Sequence, residues 1–314
     1  MKRHLATLTK RGLIGLGFPA RRLQRADQAF VLFYHGIGGR NGIPTPAFEQ
    51  QIRYVARHFE PVFARDLGVL QSSPRLRVAI TIDDGLKNTL NVALPILRKH
   101  GVKATIFVIS GDHRWLWTSE LRERLRTSLG RTVDGRPIRD AAAVDGLVRE
   151  LKAMTLADRD AAMARIRAET SFDPSPEWLA EYELMTPEQL QSLPEDLVEI
   201  GAHTVNHPIL DRLDTDAIER EIVESKRGLE ALLGRPVLTF AYPNGDFDRR
   251  CRDIAERHYR FAFTTDQAIE DKPERQDLLG HPHAIYRMHG TDRFVDAPIR
   301  MQRLLQRGFG FRPG

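Results

Sequence analysis

The sequence predicts an α/β fold in which repeated βα units build a mostly parallel sheet, with a helical segment inserted between two of the strands. Three observations predict it. From Phe30 onward, short apolar runs alternate with longer amphipathic segments. With 314 residues, 41% of them hydrophobic, the chain can bury a sizeable core. A single stretch, Gly111 to Ala180, breaks the alternation, being rich in Arg, Glu, Ala and Leu and lacking a strand pattern.

Residues 1–28 form a basic arm in which Lys2, Arg3, Lys10, Arg11, Arg21, Arg22 and Arg25 all precede the first acidic residue, Asp27. Its apolar part, Leu13 to Phe18, is broken by glycines and is far shorter than the roughly 20 residues a membrane span needs. The expectation is a cytoplasmic protein whose arm rests on an anionic membrane surface, peripheral to the inner face. A formal charge of +5 permits anionic partners, and no nucleic-acid partner is expected. Cys251 is the only cysteine, which excludes an intramolecular disulfide and a thiolate metal cluster.

Residues 29–314 are read as the main domain. Its strands are expected at Phe30 to Tyr34, Leu76 to Ile82, Ala104 to Ile109, Leu197 to Ala202, Val237 to Ala241, Phe261 to Thr264 and Ala284 to Arg287. Helices are expected at Asn88 to Lys99, with Leu90, Leu94 and Leu97 on one face, and at Asp216 to Leu233, with Ile218, Ile222, Leu229 and Leu232. Thr186, Pro187 and Gln189 read as the cap, first-turn proline and third-position partner of a capping box. The insertion, about residues 111–195, is expected to carry helices at Trp115 to Leu129, Ala141 to Met154 and Leu156 to Glu169, with a Gly/Pro turn around Gly135 and Pro137. It would overhang the strand ends and shape access to them, with Trp115 and Trp117 as sugar-stacking surfaces or as apolar anchors.

Polar groups recur where strands end: His35 after VLFY, Asp83 and Asp84 after VAITI, His203 after VEIGA, and Tyr242, Pro243 and Asn244 after VLTFA. The C-terminal ends of parallel strands converge on one mouth, so residues remote in sequence become neighbours. Adjacent carboxylates repel one another unless a cation or hydrogen bonds compensate. One of them with His203 and His207 could hold a divalent metal, leaving the other to handle a proton.

TIDDG, ATIFV, HTVNH and FAYPNG, in that order, resemble the polysaccharide deacetylases of the NodB-homology type, a carbohydrate esterase family. The resemblance runs from about Phe30 to Arg287, the insertion excepted. It implies a distorted (β/α) barrel of about seven strands and removal of acetyl groups from sugars with a divalent ion, zinc first and cobalt, nickel or manganese as alternatives. Carried over by position, Asp83 is the general base, Asp84, His203 and His207 are the metal ligands, and a backbone N–H near Tyr242 to Asn244 stabilises the oxyanion. Two positions depart from the family pattern: Ala241 stands where an arginine is common, and Asn244 where a tyrosine usually follows the proline. Arg287 is therefore expected to steady Asp83 by a bidentate contact. His35, in FYHG, is favoured as general acid over His289, with His281 also available.

The resulting expectation is a metal-dependent hydrolase acting on N-acetylated sugars of a polysaccharide or a lipid-linked glycan. Its alternatives are a deformylase or other amide hydrolase on a lipid-linked sugar, a non-haem iron oxygenase using the same His-His-carboxylate set, and a glycan-binding protein without turnover.

Overall fold

The computed structural model describes residues 29–39, 42–68, 75–265 and 282–290. The basic arm, His281 and the chain beyond Gly290 lie outside the described residues. In order, the elements are β1 (Ala29–Tyr34), α1 (Thr45–His58), β2 (Glu60–Val62), β3 (Arg77–Ile82), α2 (Leu94–His100), β4 (Ala104–Val108), α3 (Trp117–Arg126), β5 (Thr132–Val133), β6 (Arg136–Pro137), α4 (Ala141–Lys152), α5 (Leu156–Glu169), α6 (Pro176–Tyr182), α7 (Pro187–Gln191), β7 (Val198–Ala202), α8 (Thr215–Leu233), β8 (Thr239–Ala241), α9 (Arg249–His258), β9 (Phe261–Thr265) and β10 (Ile285–His289).

Seven of these strands, β1, β3, β4, β7, β8, β9 and β10, form a closed ring in which every neighbouring pair is parallel. This is the (β/α) barrel, and its strands fall at the seven apolar runs. β2 is an addition that no pattern in the sequence marks, since Glu60-Pro61-Val62 is short and carries a proline. It pairs with the first half of β3, Arg77 to Ala79, while β4 pairs with the second half, Ile80 to Ile82.

Alternation along the strands divides their side chains between two layers. One set, including Leu32, Ile80, Ile82, Ile200 and Phe240, packs outward against the helices, on Phe48, Ile52 and Val55 of α1 and on Ile218, Ile222 and Leu229 of α8. The other set fills the barrel with Val31, Ala79, Phe107, Ala241, Phe263 and Ile285. Glu199 belongs to this inner set. Its carboxylate is buried, accepting from Thr105 Oγ1 at 2.6 Å, Thr239 Oγ1 at 3.0 Å and the Arg65 backbone N–H at 3.2 Å. Burial raises its pKa above the usual range, the hydrogen bonds opposing.

Between β4 and β7, the insertion has a core of its own, built from Leu121, Leu125, Val144, Leu147, Leu151, Met163 and Ile166. The stretch read as free of strands contains a small hairpin, β5 with β6. Asp134 and Gly135 close it, with φ of 48° and 73°, the left-handed pair a two-residue hairpin loop requires. Two or three residues of extended chain are too few to leave a periodicity. At Thr186 the capping box is present in full, with Gln189 N–H donating to Thr186 Oγ1 and Thr186 N–H to Gln189 Oε1. No helix among the described residues is long and apolar enough to cross a membrane.

The insertion's exit is tied to the strand ends. Lys87 N–H donates to Glu183 O at 2.7 Å and Met185 N–H to Gly85 O at 2.9 Å, while the Glu183 carboxylate lies between Lys87 Nζ and Arg114 Nε, at 2.9 and 2.8 Å.

Within the barrel, Gly201 faces the Phe107 ring. A methyl group placed there would lie 2.6 Å from Phe107 Cδ1 and from Thr239 Oγ1. Gly201→Ala is expected to destabilise the protein by about 1–3 kcal/mol through overpacking, measured as a shift in the urea unfolding midpoint.

Candidate active site

The two aspartates part company at a turn. Asp83 prolongs β3, its N–H donating to Tyr34 O at 2.9 Å, whereas Asp84 and Gly85 both take φ of 73°. In an extended chain neighbouring side chains would diverge by alternation alone. It is instead this left-handed turn that sends Asp83 into the barrel and Asp84 toward the histidine loop.

Asp84 Oδ1 lies 3.6 Å from His203 Nε2 and 3.5 Å from His207 Nε2, and the three ligand atoms all fall within 4.8 Å of one another. Three features fit a divalent cation there. Asp84 Oδ1 is buried without a hydrogen-bond partner. His203 donates from Nδ1 to Ala241 O at 2.7 Å, so its Nε2 presents a lone pair toward Asp84. Burial depresses the pKa of both imidazoles, that of His207 strongly, where the nearby Lys152 adds repulsion, so both rings are neutral at neutral pH. Asp84, His203 and His207 thus make a possible metal site.

The loop carrying the histidines is held in a strained shape. Thr204 and His207 have φ of 67° and 51°, and a β-branched residue rarely takes such an angle. Thr204 Oγ1 accepts from His207 N–H at 3.0 Å, and Thr204 O accepts from Ser110 N–H and Ser225 Oγ. Glu221 of α8 accepts from the backbone N–H groups of Val205 and Asn206 at 2.9 and 2.8 Å and from Asn206 Nδ2. Sequence reasoning missed Glu221. Its signal was a carboxylate standing between Ile218 and Ile222, on the apolar face of an amphipathic helix.

Arg287 is fully buried in the barrel and grips Asp83 with two bonds, Nη1 to Oδ1 at 2.6 Å and Nη2 to Oδ2 at 2.8 Å. Its other donors go to Thr81 Oγ1 and Thr264 O, both at 3.2 Å. The guanidinium also lies 4.9 Å from the Phe33 ring centroid and 5.3 Å from that of Phe107. Burial alone would raise the Asp83 pKa, but the Arg287 guanidinium outweighs it and holds the carboxyl at about 2. His35, its side chain half exposed, places Nε2 3.9 Å from Asp83 Oδ2. His289 stands close by, its ring 6.4 Å from that of His35, and both rings pack edgewise on Phe33.

The third segment needs a correction. Tyr242 is buried, its ring stacked on Phe247 and its hydroxyl donating to His283 O, and its backbone N–H is taken by Phe263 O at 3.0 Å. Pro243 has no N–H. Of the three residues expected to stabilise an oxyanion, Asn244 alone has a backbone N–H to offer. Its φ of 54° turns the chain there, and Gly245 follows at 84° with Thr265 packed so closely that no side chain fits.

The family model for polysaccharide deacetylases matches residues 71–130 and 160–260, just over half of the chain. The chain belongs to the polysaccharide deacetylase family. YxkH of Bacillus subtilis, a polysaccharide deacetylase by assignment, is 25% identical over 138 residues, 41% of this chain and 48% of that protein, so the chain spans about half the length of this curated relative. Among solved structures, IcaB from Ammonifex degensii superposes with a TM-score of 0.55 at 19% identity, covering 90% of this chain and 98% of that one. The Streptococcus pyogenes deacetylase PplD, solved in complex with acetate, gives 0.54 at 20%, covering 83% and 92%. These likenesses carry the fold. The family match leaves out residues 131–159, the heart of the insertion, and also β1 and β10, which bring His35 and Arg287 to the site.

Asp83 titrates lower in the folded chain than in the unfolded one. The stability it contributes, about 2 kcal/mol from the shift between 3.8 and about 2, is complete above pH 4 and is lost as pH falls from about 4 to 2. Arg287→Gln leaves the carboxylate buried and unpaired, which costs about 3–5 kcal/mol at pH 7. Urea unfolding in the presence of chelator is expected to show that loss, and to show a decline between pH 4 and 2 that is smaller in the variant by about 2 kcal/mol.

Proposed function

We propose that the protein is a metal-dependent deacetylase that hydrolyses the acetamido group of an N-acetylated sugar, in a polysaccharide or a lipid-linked glycan, with zinc as the preferred ion. The observation that carries this reading is the juxtaposition of a three-ligand set, Asp84, His203 and His207, with a second carboxylate that Arg287 keeps ionised. A divalent cation held by that set supplies Lewis acidity, acidifying water and polarising a carbonyl.

The chain's own groups account for the proton transfers. Asp83, anionic and fixed in orientation by two hydrogen bonds, accepts a proton from the water that adds to the acetyl carbon. The Asn244 N–H is the donor we assign to the oxygen on which negative charge develops. Breakage of the C–N bond then requires a proton on the sugar nitrogen, because an amide anion is a very poor leaving group. His35, at the open side of Asp83, is the donor we assign. The products are acetate and a free amine. A facial-triad oxygenase would leave the buried Asp83 and Arg287 pair without a chemical use.

An acetate-release screen over N-acetylhexosamine oligomers and lipid-linked monosaccharides, with formate measured in parallel, tests this reading. Activity is expected with added zinc and should disappear on chelation. Asp83→Asn should lower kcat at least about a hundredfold while metal content, measured by atomic emission, stays the same. Formate as the sole product would replace the reading with a deformylase. Of the two candidate acids, His35→Ala is expected to cost tens-fold or more in kcat, with His289→Ala costing far less. The reverse order would assign the acid to His289.

A further inference from the structure

The turn that carries the Asn244 N–H is held from two directions. From the barrel, Thr265 Oγ1 donates to Asn244 O at 3.1 Å and Thr264 Oγ1 to Gly245 O at 2.6 Å. The peptide unit that bears the Asn244 N–H has Pro243 O as its carbonyl, which accepts from Asp246 N–H at 3.2 Å, the long end of the normal range. From the insertion, Lys152 Nζ donates to Asn244 Oδ1 at 3.0 Å. Burial and then Asp211 raise the Asp246 pKa, opposed by a hydrogen bond from the Asn244 side chain and by the charge of Lys152. The Asn244 side chain is thus clasped between an ammonium and a carboxylate, and its backbone N–H takes part in none of these bonds.

Lys152 has no other strong partner. Elsewhere in the insertion cations are matched: Arg124 and Arg167 pair with Glu120, Arg136 and Arg165 with Asp134, Arg159 with Asp160. Among the described residues no carboxylate lies within ion-pair distance of Lys152. It is the half-buried last residue of α4, where the helix dipole favours a cation. Burial and the neighbouring Arg122 lower its pKa, while Asp84 and Asp246 act in the other direction. An ammonium partly withdrawn from water thus directs its one side-chain bond at a neutral amide. That amide stands at a φ of 54°, which a non-glycine residue adopts most readily when it is an asparagine with local hydrogen bonds. An oxyanion donor stabilises developing charge only from a fixed position, so whatever fixes this turn bears on the reaction.

We propose that Lys152 is a positioning residue for deacetylation: by clasping the Asn244 side chain it locks the left-handed turn and so fixes the N–H assigned to the oxyanion. Lys152 falls within residues 131–159, which the family match leaves out, whereas Asn244 falls inside the match. The insertion thereby completes an oxyanion site on the shared barrel. The proposal rests on the deacetylase reading and deepens it.

The chain has five asparagines, so isotopic labelling of asparagine alone lets NMR follow Asn244 by itself, its signals being those that Asn244→Gly removes. Lys152→Met, which keeps the apolar stem and removes the donors, is expected to move the Asn244 backbone and side-chain signals and to quicken the motion of its N–H. Lys152→Arg should leave them near their original places. In acetate release by the zinc-loaded full chain from N-acetylglucosamine oligomers, Lys152→Met should lower kcat about tenfold with KM and zinc content little changed, and Lys152→Arg should recover most of the loss. Asn244→Gly keeps the left-handed turn and its N–H but removes the side chain that Lys152 holds, so in that background Lys152→Met should cost nothing further. Thermal melts of each variant check its folding. An effect of Lys152→Met that persists beside Asn244→Gly would mean that the ammonium acts on Asp84 or the substrate directly, and would overturn the proposal. So would an Asn244 spectrum indifferent to Lys152→Met. A chain that releases no acetate from any sugar fails the deacetylase reading, while the asparagine spectrum still decides whether Lys152 fixes the turn.

Discussion

A guanidinium with no solvent exposure, paired to a carboxylate, is the constraint on which the site depends. Taking two charges out of water is expensive, and the arrangement survives because Asp83 and Arg287 satisfy one another through two bonds and two further guanidinium donors find Thr81 and Thr264. The pair also joins opposite ends of the chain. Arg287 comes from β10 and Asp83 from the end of β3, and β1 lies between these two strands in the ring. Closing the barrel is therefore what pairs Asp83: buried without β10 in place, the carboxylate would lack the guanidinium that offsets its desolvation.

The period of two along a strand explains why so much of the site could be read in advance. Residues at alternate positions share the barrel interior, so β1 leads through Val31 and Phe33 to His35, β3 through Ala79 and Thr81 to Asp83, β7 through Glu199 and Gly201 to His203, and β10 through Ile285 and Arg287 to His289. Each strand ends by presenting its next inward side chain at the rim, which is why locating the apolar runs also located these residues. Arg287 was legible by elimination. With Ala241 at a position where an arginine is common, some other buried cation had to orient Asp83.

What stayed hidden was set by backbone angles and by helices that meet the site from outside. Asp84, Thr204, His207 and Asn244 all have positive φ, and none is a glycine, so composition gives no sign of the turns that aim two of the ligands. Strain of about 1–3 kcal/mol per residue is carried where surrounding bonds fix the conformation. Around Thr204 and His207 those bonds come from Glu221, Ser225 and Ser110. Tyr242 was misread because it continues β8, so its N–H is taken by Phe263 O of β9, and Asn244, two residues on in the turn, is left with the N–H of that segment. The β5–β6 hairpin and β2 were illegible because segments of two or three residues carry no period.

Barrel and insertion divide the work along the same line. The barrel supplies the groups that the chemistry needs, and its geometry is fixed by strand register and by the buried ion pair. The insertion packs around its own apolar core and touches the catalytic turn through backbone bonds, from Lys87 to Glu183 and from Met185 to Gly85, just beyond Asp84. Those bonds set its height above the rim without involving a reacting group. Side chains at the end of α4 and the start of α3 can then reach the site edge, Lys152 touching Asn244 and Trp117 lying against the His207 turn. Changing them alters the edge of the site, while Asp83, the carboxylate we propose as proton acceptor, stays locked to Arg287 in the barrel below.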